Sequence, residues 1–232
     1  MPFTPTEDDV IFNFAAVHHT PGHEDHEYFE TNIRGAENVV AFAEKIHEKW
    51  QNGDATHRQL TIVRPGVVFG KGENGNFTRL YWAIRGHKFA YPGRKDTIKA
   101  CIYVKELVRF MLWKVEEGVN TNGADVKSAK GVDYNCCFEP AYTIQHIVEA
   151  MKKVTGLTQF VPDIPNWVIM PMARAAMLLG SPMGICPARV KKLQISTNIC
   201  GEKLKNCGYQ FKWSFEEALA DWFEDNDRQG LK

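Results

Sequence analysis

The sequence has no excess of either charge, no C-x-x-C pair of cysteines and no long apolar run. Lys and Arg number 28, and Asp and Glu also number 28, so the formal net charge is zero. Proteins that bind nucleic acid or a membrane surface through charge depend on concentrated positive charge. The balance therefore argues against both classes, and we expect no nucleic-acid partner.

The six cysteines show no C-x-x-C pair and no zinc-ribbon spacing. A chain of 232 residues does not need disulfides to fold, so reduced thiols are the favoured interpretation. The first nine residues are acidic and contain two prolines, unlike the basic and apolar start of a signal peptide. These features predict a cytoplasmic protein.

The most apolar segment, Trp167 to Leu179, is interrupted by Pro171 and Arg174 and is shorter than a membrane-spanning helix. We therefore expect no membrane span. The segment predicts a buried or ligand-lining helix, with a helix on a membrane surface as the alternative.

Short apolar runs alternate with stretches of helical periodicity along the chain. The predicted strands are Val10–Val17, Leu60–Val63, Lys99–Val104 and Val132–Asn135. The predicted helices are Glu27–Trp50, Asn76–Arg85, Lys105–Glu117, one from Thr143 to about Thr155, and Phe215–Asp225. This alternation predicts an α/β fold with a parallel sheet and flanking helices.

Two helices carry capping signals. Thr143 precedes one helix and Gly156 ends it, while Ser214 with Glu217 predicts a capping box for the last helix. From about Gly118 the chain becomes helical and rich in proline. We predict a sheet domain over residues 1–117 and a smaller, mostly helical C-terminal lobe over residues 118–232, intertwined with the first.

Three glycines in Gly70–Gly75 fit the G-x-G-x-x-G pattern of a dinucleotide fingerprint. In the true motif the glycines follow a strand directly, whereas Pro65 and Gly66 already end this strand. We therefore interpret the match as a flexible loop on the ligand side and not as the fingerprint.

A polar loop near the N-terminus contains four histidines: His18, His19, His23 and His26. Imidazole and carboxylate groups bind zinc, so a metal site is one hypothesis. No pair has the i, i+4 spacing on a clear helix, so we favour a polar loop in which His18 faces a ligand.

Two further segments lie where ligands bind in parallel sheets. Pro65 and Gly66 follow a strand at the carboxyl edge, although a simple turn explains them equally well. Arg94, Lys95 and Lys99 surround a later strand end, where basic groups can hold a phosphate. On spacing alone, a solvated run of charge is the favoured interpretation of these three residues.

Six segments, in order along nearly the whole chain, carry a family resemblance. The first three begin at Val10, Tyr28 and Val63, with the sequences V-I-F-N-F-A-A-V, Y-F-E-T-N-I-R-G-A-E-N-V-V and V-R-P-G-V-V-F-G-K-G. The others begin at Lys99, Asp133 and Cys207, with the sequences K-A-C-I-Y-V-K-E-L, D-Y-N and C-G-Y-Q-F-K-W-S-F-E-E-A-L. Together they resemble the extended short-chain dehydrogenase/reductase family, which contains NAD(P)-dependent nucleotide-sugar epimerases and dehydratases and related sterol and flavonoid reductases.

The resemblance implies a partial Rossmann-like sheet that binds NAD or NADP, a substrate lobe over residues 118–232, and hydride transfer with a small hydroxyl or carbonyl substrate such as a nucleotide sugar. The predicted cofactor contacts are Ala15, Ala16, Val17, Asn32, Pro65, Gly66 and Val67. The predicted substrate contacts are His18, Asn76, Arg94 and Lys99. Lys99 stands where nucleotide-sugar members carry an arginine, and lysine keeps the charge but not the bidentate geometry.

Two parts of the family pattern are missing. The glycine-rich half would precede Val10, where nine residues stand. The catalytic Ser and the Tyr-x-x-x-Lys pair would fall before Val63, but Ala43–Gln59 contains neither Tyr nor Ser. Asn38–Trp50 contains no Gly or Pro and predicts one continuous helix across the skipped region.

These absences predict a shortened enzyme of impaired activity, because hydride transfer of this type needs a tyrosine base. Loss of the first strands exposes a sheet edge, so we expect self-association or a homodimer. The alternative is a non-catalytic binding or regulatory module on the same fold.

Overall fold

The computed structural model describes residues 10–14, 26, 29–50, 61–120, 132–178 and 187–232. Contacts divide the chain into two units, residues 1–59 with 115–129 and residues 60–114 with 130–232. The predicted boundary after residue 117 divides a cofactor-binding part from a substrate-binding part. The two units are defined by contacts and not by what they bind, so this boundary stays a prediction.

Helix α1, Gly35–Trp50, is the main described element of the first unit. A π-helical segment, Phe29–Arg34, precedes it. The continuous helix predicted over Asn38–Trp50 is confirmed, because no residue there removes a backbone hydrogen bond or favours a turn.

The strand predicted over Val10–Val17 is wrong in its described part, since residues 10–14 have no regular structure. Their apolar side chains are exposed, with Phe14 74% exposed. A strand forms only when a neighbour supplies its hydrogen bonds, and no described residue pairs with this run. Residues 15–17 lie outside the described residues.

Eight short strands form four pairs in the described part of the second unit. They are β1 (Thr61–Pro65), β2 (Val67–Phe69), β3 (Tyr91–Pro92), β4 (Ile98–Lys99), β5 (Cys101–Tyr103), β6 (Val132–Cys136), β7 (Tyr142–Thr143) and β8 (Asp163–Ile164). β1 pairs with β6, β2 with β5 and β3 with β8, all parallel, whereas β4 and β7 are antiparallel. The predicted α/β class with parallel strands is confirmed.

Further helices lie between and after these strands. They are α2 (Asn76–Arg85), α3 (Val104–Asn120), α4 (Ile144–Thr155), α5 (Asn166–Leu178), α6 (Pro187–Gln194), α7 (Glu202–Asn206) and α8 (Phe215–Asp225). In the part of the chain that the structure describes, no helix combines the length and the apolar character needed to cross a bilayer.

Both predicted caps are confirmed. The Thr143 hydroxyl accepts from the His146 N–H, and Gly156 ends α4 in the left-handed conformation. Ser214 and Glu217 exchange side-chain and backbone hydrogen bonds at the start of α8. These caps are local, so their residues suffice to predict them.

The larger core of the second unit is aromatic and surrounds Phe69. This ring is fully buried, stacks on Phe77 at 4.7 Å and meets Phe215 edge-on at 5.6 Å. Helices α4 and α8 pack against each other beside it. Burial of each such ring contributes about 2 kcal/mol, so this cluster is a main source of the unit's stability.

A buried carboxylate, Glu106, joins α3 to the loop before α8. It is fully buried and accepts hydrogen bonds from the Tyr209 hydroxyl at 2.5 Å, the Lys212 N–H at 2.5 Å and the Trp213 N–H at 2.9 Å. The Arg109 guanidinium lies at 3.3 Å and supplies a positive charge. The four donors offset the cost of burying the charge.

Replacement of Glu106 by Gln removes this charge while keeping the side-chain shape. We expect Glu106→Gln to lower the free energy of unfolding by about 2 kcal/mol, since hydrogen bonds to a charged acceptor are replaced by weaker neutral ones. Urea unfolding followed by circular dichroism measures the change. Glu116→Gln, at an exposed position of the same helix, is the control, and equal midpoints for the two variants would contradict the prediction.

Candidate functional site

The chain changes its hydrogen-bonding neighbour at Gly66, directly after β1. The Gly66 N–H donates to the Cys136 carbonyl of β6 at 2.9 Å, and the Val67 N–H donates to the Ala100 carbonyl before β5 at 2.9 Å. A Cβ on Gly66 would lie 2.8 Å from the Ala100 oxygen, so only glycine fits. Pro65 ends β1, Gly66 follows it and Val67 begins β2, and the role of these three residues as cofactor contacts stays a prediction.

The carboxyl end of the neighbouring strand β6 carries polar groups that the sequence motifs missed. The Glu139 carboxylate accepts from the Gly201 N–H at 2.9 Å, and the Cys137 thiol donates to the Ile199 carbonyl at 3.3 Å. Burial raises the pKa of the Cys137 thiol to about 11, so it stays protonated at neutral pH. The sequence could have indicated these two residues only through their position, since both follow the predicted strand Val132–Asn135.

Lys99 lies in β4, next to the segment that Val67 contacts. It pairs with Tyr142 of β7 and forms a bridge with Thr197 on its other side. Its ammonium donates to the Ile195 carbonyl at 2.6 Å. The Val67–Ala100 hydrogen bond thus places the backbone of Lys99 one residue from the contact with the segment that follows β1.

Arg94 lies in an exposed turn after β3 and is bound to a nearby carboxylate. Its guanidinium contacts the two Asp96 oxygens at 2.8 and 2.9 Å. The hydrogen bonds from Arg94 lower the pKa of Asp96, and the same carboxylate raises the pKa of Arg94. A phosphate at Arg94 would therefore compete with Asp96.

A carboxylate from the glycine loop Gly70–Gly75 already occupies the start of helix α2. The Glu73 carboxylate accepts from the Phe77 and Thr78 N–H groups at 3.2 and 2.9 Å, where a fingerprint motif would hold the pyrophosphate. The Gly72 N–H donates to the Lys232 carbonyl at 3.1 Å, so the loop is joined to the end of the chain. Asn76 is exposed at the start of α2, directly after this loop.

A Tyr-x-x-x-Lys spacing occurs at Tyr91 and Lys95, outside the region where the family carries it. The Lys95 nitrogen is 5.9 Å from the Tyr91 ring centre and 3.6 Å from Asp163. Burial, together with the charges of Glu149 and Asp163, raises the pKa of Tyr91 to about 12. The environment keeps this phenol protonated, the opposite of what a catalytic base requires.

In the first unit, Asn32 lies in the π-helical segment and borders a shallow, mostly apolar groove of about 420 Å³. The other lining residues are Ile33, Ala36, Glu37, Val40 and Ala41. π-Helical turns are frequent at functional sites.

The remaining predicted contacts, Ala15, Ala16, Val17 and His18, lie outside the described residues, as do His19 and His23 of the metal hypothesis. Within the described residues, no group of three or more His, Cys, Asp or Glu side chains is arranged to hold a metal ion.

A second charged cluster joins β5 to α8. The Tyr103 hydroxyl donates to Asp221 at 2.5 Å, and the Lys105 ammonium contacts Asp221 at 2.6 Å and Asp225 at 2.7 Å. Burial alone would raise the pKa of Asp221, but the hydrogen bonds from Lys105 and Tyr103 lower it. Burial and the bond to Asp221 raise the pKa of Tyr103, so this cluster ties elements together and offers no base.

No protein-family model matches the chain. Over 184 residues the chain is 25% identical to the N-acetyl-alpha-D-glucosaminyl-diphospho-ditrans,octacis-undecaprenol 4-epimerase of Escherichia coli O157:H7, covering 76% of this chain and 52% of that protein. Human epimerase family protein SDR39U1, solved with NADPH, is similar at a TM-score of 0.52 and 17% identity over 78% of this chain and 55% of that one. The predicted resemblance to the extended short-chain dehydrogenase/reductase family is confirmed.

A nucleoside-diphosphate-sugar epimerase from Pseudomonas aeruginosa is also similar, at a TM-score of 0.46 and 18% identity, covering 97% of this chain and 62% of that one. The chain spans about half the length of the E. coli and human relatives. The human structure and this chain share a similar fold over the matched residues.

The close approach at Gly66 predicts a large effect of a single methyl group. We expect Gly66→Ala to lower the free energy of unfolding by about 2 kcal/mol, because the added Cβ meets backbone atoms that cannot rotate away. Gly35→Ala is the control, since a Cβ there meets nothing within 4 Å. Urea denaturation compares the two, and an unchanged midpoint for Gly66→Ala would contradict the proposed geometry.

The lowered pKa of Asp221 predicts a loss of stability in acid. Its folded-state pKa lies below the unfolded value, so its contribution is present above that value and is lost as pH falls through the folded pKa. The unfolding free energy of the wild type falls between neutral pH and pH values below about 4. We expect this fall to be about 1 kcal/mol smaller in Asp221→Asn, which has no carboxylate to protonate at this position.

Unfolding midpoints across this pH range measure the effect. Asp227→Asn, an exposed neighbour, serves as the control. If both variants keep the wild-type pH dependence, the carboxylate of Asp221 does not stabilise the fold.

Proposed function

We propose that this chain is an epimerase-like, NAD(P)-binding protein. In this proposal the carboxyl end of β1 faces the nicotinamide part of NAD or NADP, and Lys99 and Arg94 face the diphosphate of a nucleotide sugar or a related sugar diphosphate. The main support is the change of neighbour at Gly66, which brings the end of β1 next to Ala100, the residue after Lys99. The E. coli relative, by its name, acts on a sugar diphosphate.

The residues at the end of β1 offer apolar contact to a nicotinamide ring but no free hydrogen-bond donor to its carboxamide. Pro65 is exposed and Val67 half-buried, and both offer apolar contact to a flat ring. The N–H groups of Gly66 and Val67 already donate within the sheet, so the carboxamide would be held by other groups. When bound, the nicotinamide supplies the hydride acceptor and donor.

Lys99 and Arg94 offer different kinds of contact to a diphosphate. Lys99 presents a point charge held against the Ile195 carbonyl, without the fork that arginine offers. Arg94 has that fork, but Asp96 occupies it, so an anion gains this second contact only by displacing the carboxylate.

The alternative proposal, a binding module without hydride transfer, is favoured by the sequence of Ala43–Gln59, where the family would carry its tyrosine base. This segment contains no tyrosine. Binding of cofactor without measurable turnover is therefore the expected behaviour of this 232-residue chain.

Titration with NADH, followed by nicotinamide fluorescence after circular dichroism confirms folding, tests the cofactor part. We expect saturable binding that Pro65→Glu weakens about tenfold, because a carboxylate at the strand end repels the dinucleotide phosphates and replaces apolar contact. Gln229→Glu, which adds the same charge at an exposed distant loop, should bind as the wild type does. No saturable binding by the folded chain would refute the cofactor proposal.

A second arm tests the diphosphate part with UDP as the probe, measured by the rise in melting temperature. Lys99→Ala should abolish the rise, while Lys88→Ala, at an exposed position, should keep it. Turnover of UDP-N-acetylglucosamine by the pure chain with NAD would overturn the non-catalytic alternative.

A further inference from the structure

The zero net charge of the whole chain hides a local asymmetry. No Asp or Glu stands between Asp163 and Glu202. The same stretch contains four cationic residues: Arg174, Arg189, Lys191 and Lys192. It also contains α5, the most apolar helix, so apolar and cationic residues are combined without any carboxylate. Apolar side chains and cations without carboxylates are attracted by anionic lipid surfaces.

Helix α5 turns an apolar face with one cation outward. Ala173 is fully buried, whereas Trp167 is 79% and Met172 is 57% exposed. Pro171 and Arg174 are also exposed, and positions 167, 171 and 174 follow one stripe of a helix. A tryptophan at one end of this stripe and an arginine near the other therefore face the same side.

The end of α6 brings further apolar groups beside Trp167. The Gln194 side-chain nitrogen donates to the Asn166 side-chain oxygen at 2.9 Å and to the Pro92 carbonyl at 2.8 Å. The next residues along the chain, Trp167 and Ile195, are 79% and 65% exposed. The hydrogen bond between Asn166 and Gln194 brings the backbones of Trp167 and Ile195 close together.

We define the Trp167 surface as Trp167, Met172, Leu193 and Ile195, together with the exposed cations Arg174 and Lys191. Among the residues that the structure describes, neither cation forms an ion pair. Asp163 of β8 and Asp96 of the segment after β3 are paired with Lys95 and Arg94. The surface is therefore apolar with a positive margin.

We propose that the Trp167 surface docks on an anionic lipid bilayer, with α5 and α6 lying in the plane of the interface. Tryptophan favours the headgroup level, and exposed cations there are attracted by anionic lipids. Lys99, which contacts the Ile195 carbonyl, lies at the margin of this surface. Docking does not depend on the proposed function, because it needs neither cofactor nor turnover.

Flotation of the full chain with vesicles tests the proposal. We expect the chain to float with mixed phosphatidylcholine and phosphatidylglycerol vesicles, and to float less with phosphatidylcholine alone or at high salt. Trp167→Glu and Ile195→Glu should each lower the bound fraction at least about tenfold, because each puts a carboxylate against the anionic surface. Both positions are exposed, so these variants should fold, as circular dichroism would check.

Leu112→Glu is the matched control, since it adds the same charge at an exposed apolar residue of α3. Failure of the wild-type chain to float, or equal loss in Leu112→Glu and Trp167→Glu, would overturn the proposal. If the wild-type chain does not float but self-associates, and Trp167→Glu abolishes that self-association, the surface binds a second copy of the chain. That result would also overturn the proposal.

Discussion

The second unit depends on one buried charge, the carboxylate of Glu106. A charge without partners would be strongly unfavourable there, so the fold supplies donors from the loop before α8. These bonds fix Lys212 and Trp213, the two residues before the Ser214 cap. Through that cap they set where α8 begins, and so they bring Phe215 against Phe69 and Asp221 against Tyr103.

Hydrogen bonds made within the fold also determine which groups of the candidate site are available to a ligand. At Gly66 the backbone leaves one neighbouring strand and joins another, and both of its N–H groups near the turn are used inside the sheet. In the proposed function, a ligand near this turn is therefore recognised through side chains, such as the exposed Pro65 and the half-buried Lys99, and not through these two N–H groups.

At several positions the protonation state or the availability of a side chain depends on neighbouring residues that no sequence motif includes. Tyr91 and Lys95 have the spacing of a catalytic pair, but nearby carboxylates and burial raise the phenol's pKa. Glu73 fills the helix start that the glycine pattern offered to a phosphate. The balanced net charge likewise conceals a cationic, apolar stretch around α5, because counting charges over the whole chain ignores where they stand.

The sequence alone determined the described helices other than α6 and α7, which were not predicted, together with two of the helix caps and the α/β class, since these depend on residues within a few positions of one another. It also carried the family resemblance, through six short segments in order. Only the tertiary structure decided that residues 10–14 form no strand, because strands require a partner distant in the chain. It also decided that Gly66 is needed for contact with Ala100 and that Glu106 joins α3 to α8, since both depend on residues brought together by folding.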